Sequence, residues 1–192
     1  MTEWWSYGLS DFLMFSPQAY WRLVARHNAA WWPAQLAGAA ACLALLWIAL
    51  RGGSARVALA IVAIAWGFTG WAFHRERYAE IFLGAPWAAA ACGVEAALLV
   101  AAMFAAGVAP APRARQAGMS LTAIALLFPL LSFAQGRSWP EAEVFGFLPD
   151  PTALATLGTL LAVAMPARRR IALAIVPLLS LAFGLATRWL VA

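Results

Sequence analysis

Glu95 lies in an apolar stretch, GAPWAAAACGVEAALLVAAM. It stands nine residues beyond Pro86, so about 14 Å along a helix. If that helix crosses a bilayer, the carboxyl sits near the midplane, where its ionised form costs about 2.5–3.5 kcal/mol. Such an acid is neutral, paired or hydrated by a cavity, and by default it marks a path for protons or solutes. The structural alternative is a protonated carboxyl hydrogen-bonded to a neighbouring helix. The groups available to it are Gln35, the hydroxyls of Thr122, Ser132, Thr156 and Thr159, and the carbonyls released by Pro129 and Pro177.

A second concentration is WAFHRERYAE, residues 71 to 80. The chain has two histidines and eight acids, and this stretch uses His74, Glu76 and Glu80. Gly67, Gly70, Trp71, His74 and Tyr78 are expected along one helical face, the glycines admitting a neighbouring helix. An imidazole at the end of a span can titrate, bind a metal or simply hydrogen-bond. Arg75, Glu76, Arg77 and Glu80 read as a solvated ring of charge.

The third is GRSWPEAEVFGFLPDPT, residues 136 to 152. Ser138 and Glu141 fit a capping box, and Asp150-Pro151 reads as an N-cap followed by a first helical residue. Glu143 has no such duty, which leaves it to meet His74, His27 or a ligand. The candidate ligand- or proton-binding residues are therefore Glu95, His74, Glu143, His27, Tyr78 and Gln35. No C-x-x-C, nucleophile motif or phosphate loop accompanies them, and Cys42 and Cys92 read as buried apolar residues, so any metal or cofactor stays open.

What positions these groups follows from composition. Of 192 residues 65% are hydrophobic and 11% charged, far from the balance of a soluble domain, so the bilayer is the expected solvent. We read an all-α polytopic transmembrane bundle: one integral membrane domain, residues 1–192. Its N-terminal interfacial segment covers 1–32, and a six-helix bundle covers 33–192. The six spans run from about Pro33 to Leu50, Ala55 to Phe73, Ala85 to Ala106, Ala117 to Ala134, Pro151 to Met165 and Arg170 to Leu190. Ahead of them, SPQAYWRLVARHNAAWW has Ser16 as N-cap and Pro17 as first residue. Tyr20, Leu23, Val24, His27 and Trp31 share one face and Gln18, Arg22 and Arg26 the other, the pattern of an amphipathic helix lying in the interface. The N-terminus, MTEWWSYGLSDF, lacks the basic and apolar regions of a cleavable signal.

All 13 basic residues are Arg, giving a formal charge of +5. No cluster exceeds three, so the charge is read as orientation rather than nucleic-acid binding. The loops after spans one, three and five hold Arg51, Arg56, Arg113, Arg115, Arg168, Arg169 and Arg170 without an acid, and are placed in the cytoplasm. Both termini are then periplasmic. Nine of eleven tryptophans and all three tyrosines fall on that outer side, more than a plain aromatic belt needs, which suggests a lid.

DFLMFSPQAYWRL, NAAWWPAQ, WAFHRERY and AEVFGFLPDPTALATLG resemble one family: bacterial polytopic inner-membrane proteins known only as a domain of unknown function. The resemblance implies a membrane fold and no activity. From the residues themselves, the expected role is a small-solute or ion transporter, or a channel-like protein. In it an outward-facing pocket of His27, His74, Tyr78 and Glu143 leads to Glu95. The alternatives are a redox subunit holding haem on His27 and His74 or quinone among the tryptophans, an assembly or sensor protein, and an enzyme using Glu141, Glu143 and His74. The expected partners are the lipid bilayer and a small solute or proton.

Overall fold

A computed structural model describes residues 15–104 and 107–191. Those residues form eight α-helices and no strand. Helix α1 (Pro17–Trp31) opens as expected: extended Ser16 accepts from the Ala19 amide, and Pro17 takes the first helical position. Tyr20, Leu23, Val24 and His27 are its buried side, as their spacing requires. It meets α2 (Gln35–Arg51) at 91°. Pro33, expected inside the first turn of that span, lies instead in the turn between the two helices. Left-handed Gly52 ends α2 and donates to Ile48.

Helix α3 (Ala55–Phe68), capped by Ser54, passes into a wider π-helical turn, Thr69–Arg75. Wider turns rotate all that follows. The single face expected for Gly67, Gly70, Trp71, His74 and Tyr78 therefore does not exist. Gly67 and Trp71 are exposed, while Gly70, His74 and Tyr78 point inward. Gly70 does admit a neighbour: a Cβ there would stand 2.7 Å from the Cys92 Cβ on α4 (Ala85–Ala102). The expected fourth span is broken at Phe128-Pro129 into α5 (Pro112–Leu127) and α6 (Leu130–Ala134).

Helix α7 (Pro149–Ala162) is the centre of the molecule. None of its residues is exposed, and α2, α3, α5 and the long α8 (Ala167–Val191) pack around it. Its hydroxyls survive burial by donating to the preceding turn: Thr152 to Leu148, Thr156 to Thr152, Thr159 to Ala155. Gly158 sets it close against α5, where a Cβ would overlap Thr122 and the Gly118 carbonyl. A 14-residue helix is short for a bilayer, but this one is solvated by protein.

Among the described residues three segments are long and apolar enough to cross a membrane: Ala55–Glu80, Ala85–Ala102 and Ala167–Trp189; the bent pair α1–α2 makes a fourth if it is counted as one span. Helices α2, α5 and α7, at 17, 16 and 14 residues, are individually shorter than a full crossing. At one end of the bundle three arginines finish neighbouring helices. Arg115 donates to the Ala49 and Leu50 carbonyls of α2, Arg56 to Met103 just past α4, and Arg170 to Leu160 of α7 and to Met165. Each cation satisfies carbonyls a helix end leaves open.

Candidate functional site

The opposite end holds the chemistry. The chain from Ala142 to Leu148 is buried throughout although it is not helical, so its amides and carbonyls need partners. Turns supply some, the Phe147 and Leu148 amides both donating to the Val144 carbonyl, and side chains hold this loop and the residues just before it. Asn28 of α1 donates to Pro140 and Ala142, both at 2.7 Å; Ser132 donates to Glu141; Thr69 donates to Gly146; and the Gly146 amide donates to Thr152. Gln35, a candidate ligand by sequence, instead donates to the Asn28 carbonyl and fastens α1 to α2. The expected capping box is present, with Glu141 accepting from the Ser138 amide.

This buried loop delivers Glu143 to Arg188 of α8, which bonds it through Nη2 and bonds Asp150 of α7 through Nε at 3.0 Å. Glu143 is therefore not free to roam, as its sequence context suggested. Nor is Asp150 a cap: Leu148 occupies that position, and Asp150 lies inside the first turn of α7 as the partner of Arg188. All three groups are desolvated, with side-chain exposures of 2% for Glu143, 7% for Asp150 and 16% for Arg188. Two carboxyls share one guanidinium. Burial pushes the Glu143 carboxyl up to about 7, Arg188 pulling against that rise and Asp150 adding to it. Glu143 Oε1 and Asp150 Oδ1 have no hydrogen-bond partner among the described residues.

Beside Asp150 lies a cavity of about 190 Å³ between α4 and α8. Its polar lining comes from Tyr20, His74, Tyr78, Asp150 and Thr187. The rest of the lining is mostly apolar, with Trp66, Phe73, Cys92, Val176, Leu179 and Phe183. Leu179 and Phe183, on its wall, are also exposed on the outer surface of the helix bundle. Gly184 lets Asp150 approach α8, since a Cβ there would overlap the carboxyl. Trp66 is held by a 2.9 Å bond from Nε1 to Thr156.

The sequence candidates thus separate. His74 and Tyr78 line the cavity, their rings 5.9 Å apart, and His74 Nδ1 has no partner among the described residues. His27 is near but behind a wall: its ring stands 5.5 Å from Phe73, which in turn stands 5.3 Å from His74. Glu95 is buried one turn beyond Cys92, outside the cavity lining, and neither of its oxygens is hydrogen-bonded among the described residues. The side chains proposed as its partners bond elsewhere: Gln35, Thr122, Ser132, Thr156 and Thr159 all donate to backbone carbonyls. Arg75 and Glu76 are exposed, and Glu80 pairs at the surface with Arg26 at 3.3 Å and Arg77 at 3.7 Å, as a solvated ring should.

Sequence reasoning passed over Asp150 and Arg188. A signal existed in α8, where Ser180, Gly184 and Thr187-Arg188 recur at helical spacing through an apolar helix. That small and polar stripe is the one facing the cavity and the acids.

The sequence model of a family of unknown function, DUF6064, matches residues 17–190. No curated protein and no solved structure matches the chain.

Proposed function

The chain belongs to that family of unknown function, and from its geometry we propose that it is a membrane carrier for a lipid-like amphiphile. In this reading six helices span the inner membrane of a bacterium. The arginine-capped end is cytoplasmic, and both termini are periplasmic. The amphiphile enters sideways from the bilayer between α4 and α8 and is passed on by the carrier. This narrows the small-solute transporter expected from the sequence to a solute that is already dissolved in the membrane.

One observation carries the reading: an apolar slot beside exposed apolar helix faces is lined by Asp150 and His74, two residues with a buried polar atom, Oδ1 and Nδ1, that has no partner among the described residues. Pockets of this kind bind molecules with an apolar body and a few polar anchors. A slot with only apolar walls would need no such residues, because unpaired buried polar atoms are costly. The bis-histidine haem reading is disfavoured by the Phe73 ring standing between His27 and His74.

The test is extraction in mild detergent followed by mass spectrometry of organic extracts and an absorbance spectrum. A near-stoichiometric amphiphile is expected, and it should be lost in Ala88→Phe, which fills the slot from α4. A protein that carries no amphiphile and takes up none from vesicles would refute the proposal. A visible chromophore would favour the redox alternative.

A further inference from the structure

We propose that the exposed face of α1 carries a binding site for the phosphate of an anionic phospholipid headgroup, built from Arg22 and Arg137 around Trp21. The site is separate from the slot and goes beyond the carrier reading. It lies in an open hollow of about 500 Å³ lined by Pro17, Gln18, Trp21, Arg22, Arg137 and Glu141. Arg22 is exposed on α1, its Nε donating to the Gln18 carbonyl at 3.2 Å. Arg137 arrives from the loop after α6. The chain turns at left-handed Gly136, the Arg137 amide donates to Ser132 at 2.8 Å, and the guanidinium lies over the Trp21 ring at 3.5 Å. Two cations distant in sequence thus line one hollow.

What these cations lack is a counter-charge. Arg26 and Arg77 pair with Glu80, and Arg188 pairs with Glu143 and Asp150, but Arg22 and Arg137 form no ion pair among the described residues. Arg137 is also partly desolvated. Its Nε and Nη2 are buried without a hydrogen-bond partner among the described residues, and burial lowers its pKa against the opposing pull of Glu143. A cation held partly out of water gains most from an anion brought to it. The carboxylate in the lining, Glu141, is occupied in its capping box, where it accepts from the Ser138 amide at 3.1 Å. The lining thus holds two guanidiniums and one carboxylate. Pro17 and Gln18 add the positive end of the α1 dipole, and the first turn of α1 contains no acid to offset it. Planar guanidiniums match phosphate oxygens with paired donors. The neighbouring aromatics favour a lipid over a free phosphate. Trp139 and Phe133, on the same segment as Arg137, are exposed and stacked at 5.6 Å, as suits an anchor at headgroup level.

The test titrates the full-length protein in maltoside micelles, by calorimetry, with three probes: dihexanoyl phosphatidylglycerol, dihexanoyl phosphatidylcholine and inorganic phosphate. The anionic glycerol lipid is expected to bind about fivefold more tightly than the choline lipid, whose own cation competes for the phosphate. Inorganic phosphate should bind more weakly than the glycerol lipid, and added salt should shrink the preference between the lipids. Arg22→Gln, a change at an exposed position, should remove most of that preference. Arg137→Gln should do the same, and Arg137→Lys should restore part of it. Arg26→Gln, on the same helix but paired with Glu80, should leave it unchanged, as should Ala88→Phe, which fills the slot. Equal affinity for the two lipids would overturn the proposal. So would a preference that survives the double variant Arg22→Gln, Arg137→Gln, because the anion would then bind elsewhere. An equal loss in Arg26→Gln would reduce the effect to general surface charge and overturn the site. Inorganic phosphate binding as tightly as the glycerol lipid would assign the hollow to a free anion and overturn the lipid source. Loss of the preference in Ala88→Phe would move the headgroup into the slot and overturn the separate site.

Discussion

Arg188→Met is the perturbation that reads the buried cluster most directly. It keeps most of the side-chain length and removes the only cation bonded to Glu143 and Asp150 among the described residues. Removing one partner of a buried pair costs about 3–5 kcal/mol, because the other charge is left uncompensated. Here pH sets where in that range the loss falls. Glu143 already holds its proton up to about 7, so at pH 6 it can stay neutral without its partner and the loss lies near the lower figure. At pH 8 an unpaired Glu143 must hold a proton the unfolded chain would release. Each pH unit then adds about 1.4 kcal/mol. The assay is reversible unfolding in mixed micelles, followed by tryptophan fluorescence at pH 6, 7 and 8. Arg188→Met should lose about 3 kcal/mol at pH 6 and more at pH 8. The triple variant Arg188→Met, Glu143→Gln, Asp150→Asn should recover most of that loss, since it removes the charges along with their partner. A loss below about 1 kcal/mol at every pH would place the cluster in water, where ion pairs are worth little, and refute its burial. So would a triple variant no better than the single one.

Other outcomes follow from the same packing. Glu143 has its carboxyl raised from 4.5 to about 7, so its contribution to stability is fully present below 4.5 and is lost as pH rises through 7. The span is about 3 kcal/mol, and Glu143→Gln should flatten it in melts recorded from pH 4 to 8. Gly158→Ala should cost about 1–3 kcal/mol in the unfolding assay by forcing α7 off Thr122 and Gly118, whereas Gly67→Ala, with nothing within 4 Å of its Cβ, should not. Glu95→Leu should leave stability unchanged or raise it, because neither carboxyl oxygen has a partner to lose; a drop of more than about 1 kcal/mol would reveal one. A reporter fused to the C-terminus should be active in the periplasm; activity in the cytoplasm would invert the orientation.

Much of the helical layout was legible because its causes are local. Ser16-Pro17 starts a helix whatever it packs against, and the spacing of Tyr20, Leu23, Val24 and His27 marks its inner side in advance. Gly52 ends α2, and Ser138 with Glu141 closes a capping box within four residues. Composition alone required an apolar bundle, since so few charges cannot cover a soluble surface. Where the reading failed, the cause was not local. One π-helical turn moved Trp71 outward and left His74 inward, and nothing in GFTGWAFH marks a wider turn against an ordinary one. Asp150 before a proline looks like a cap, yet it is claimed by an arginine 38 residues away.

Sequence by itself therefore determined an all-helical, apolar chain with segments able to cross a membrane, several of the places where helices start and stop, and the end of the bundle at which His74, Tyr78 and Glu143 gather. Only tertiary structure decided that Arg188 joins two acids, that Glu95 lies outside the slot, and that Phe73 parts the two histidines. Caps and periodicity act within a turn or two of chain. Which faces meet depends on how each helix is rotated about its axis. That rotation is set by close approaches such as Gly70 on Cys92 and Gly158 on Thr122, between residues far apart along the chain.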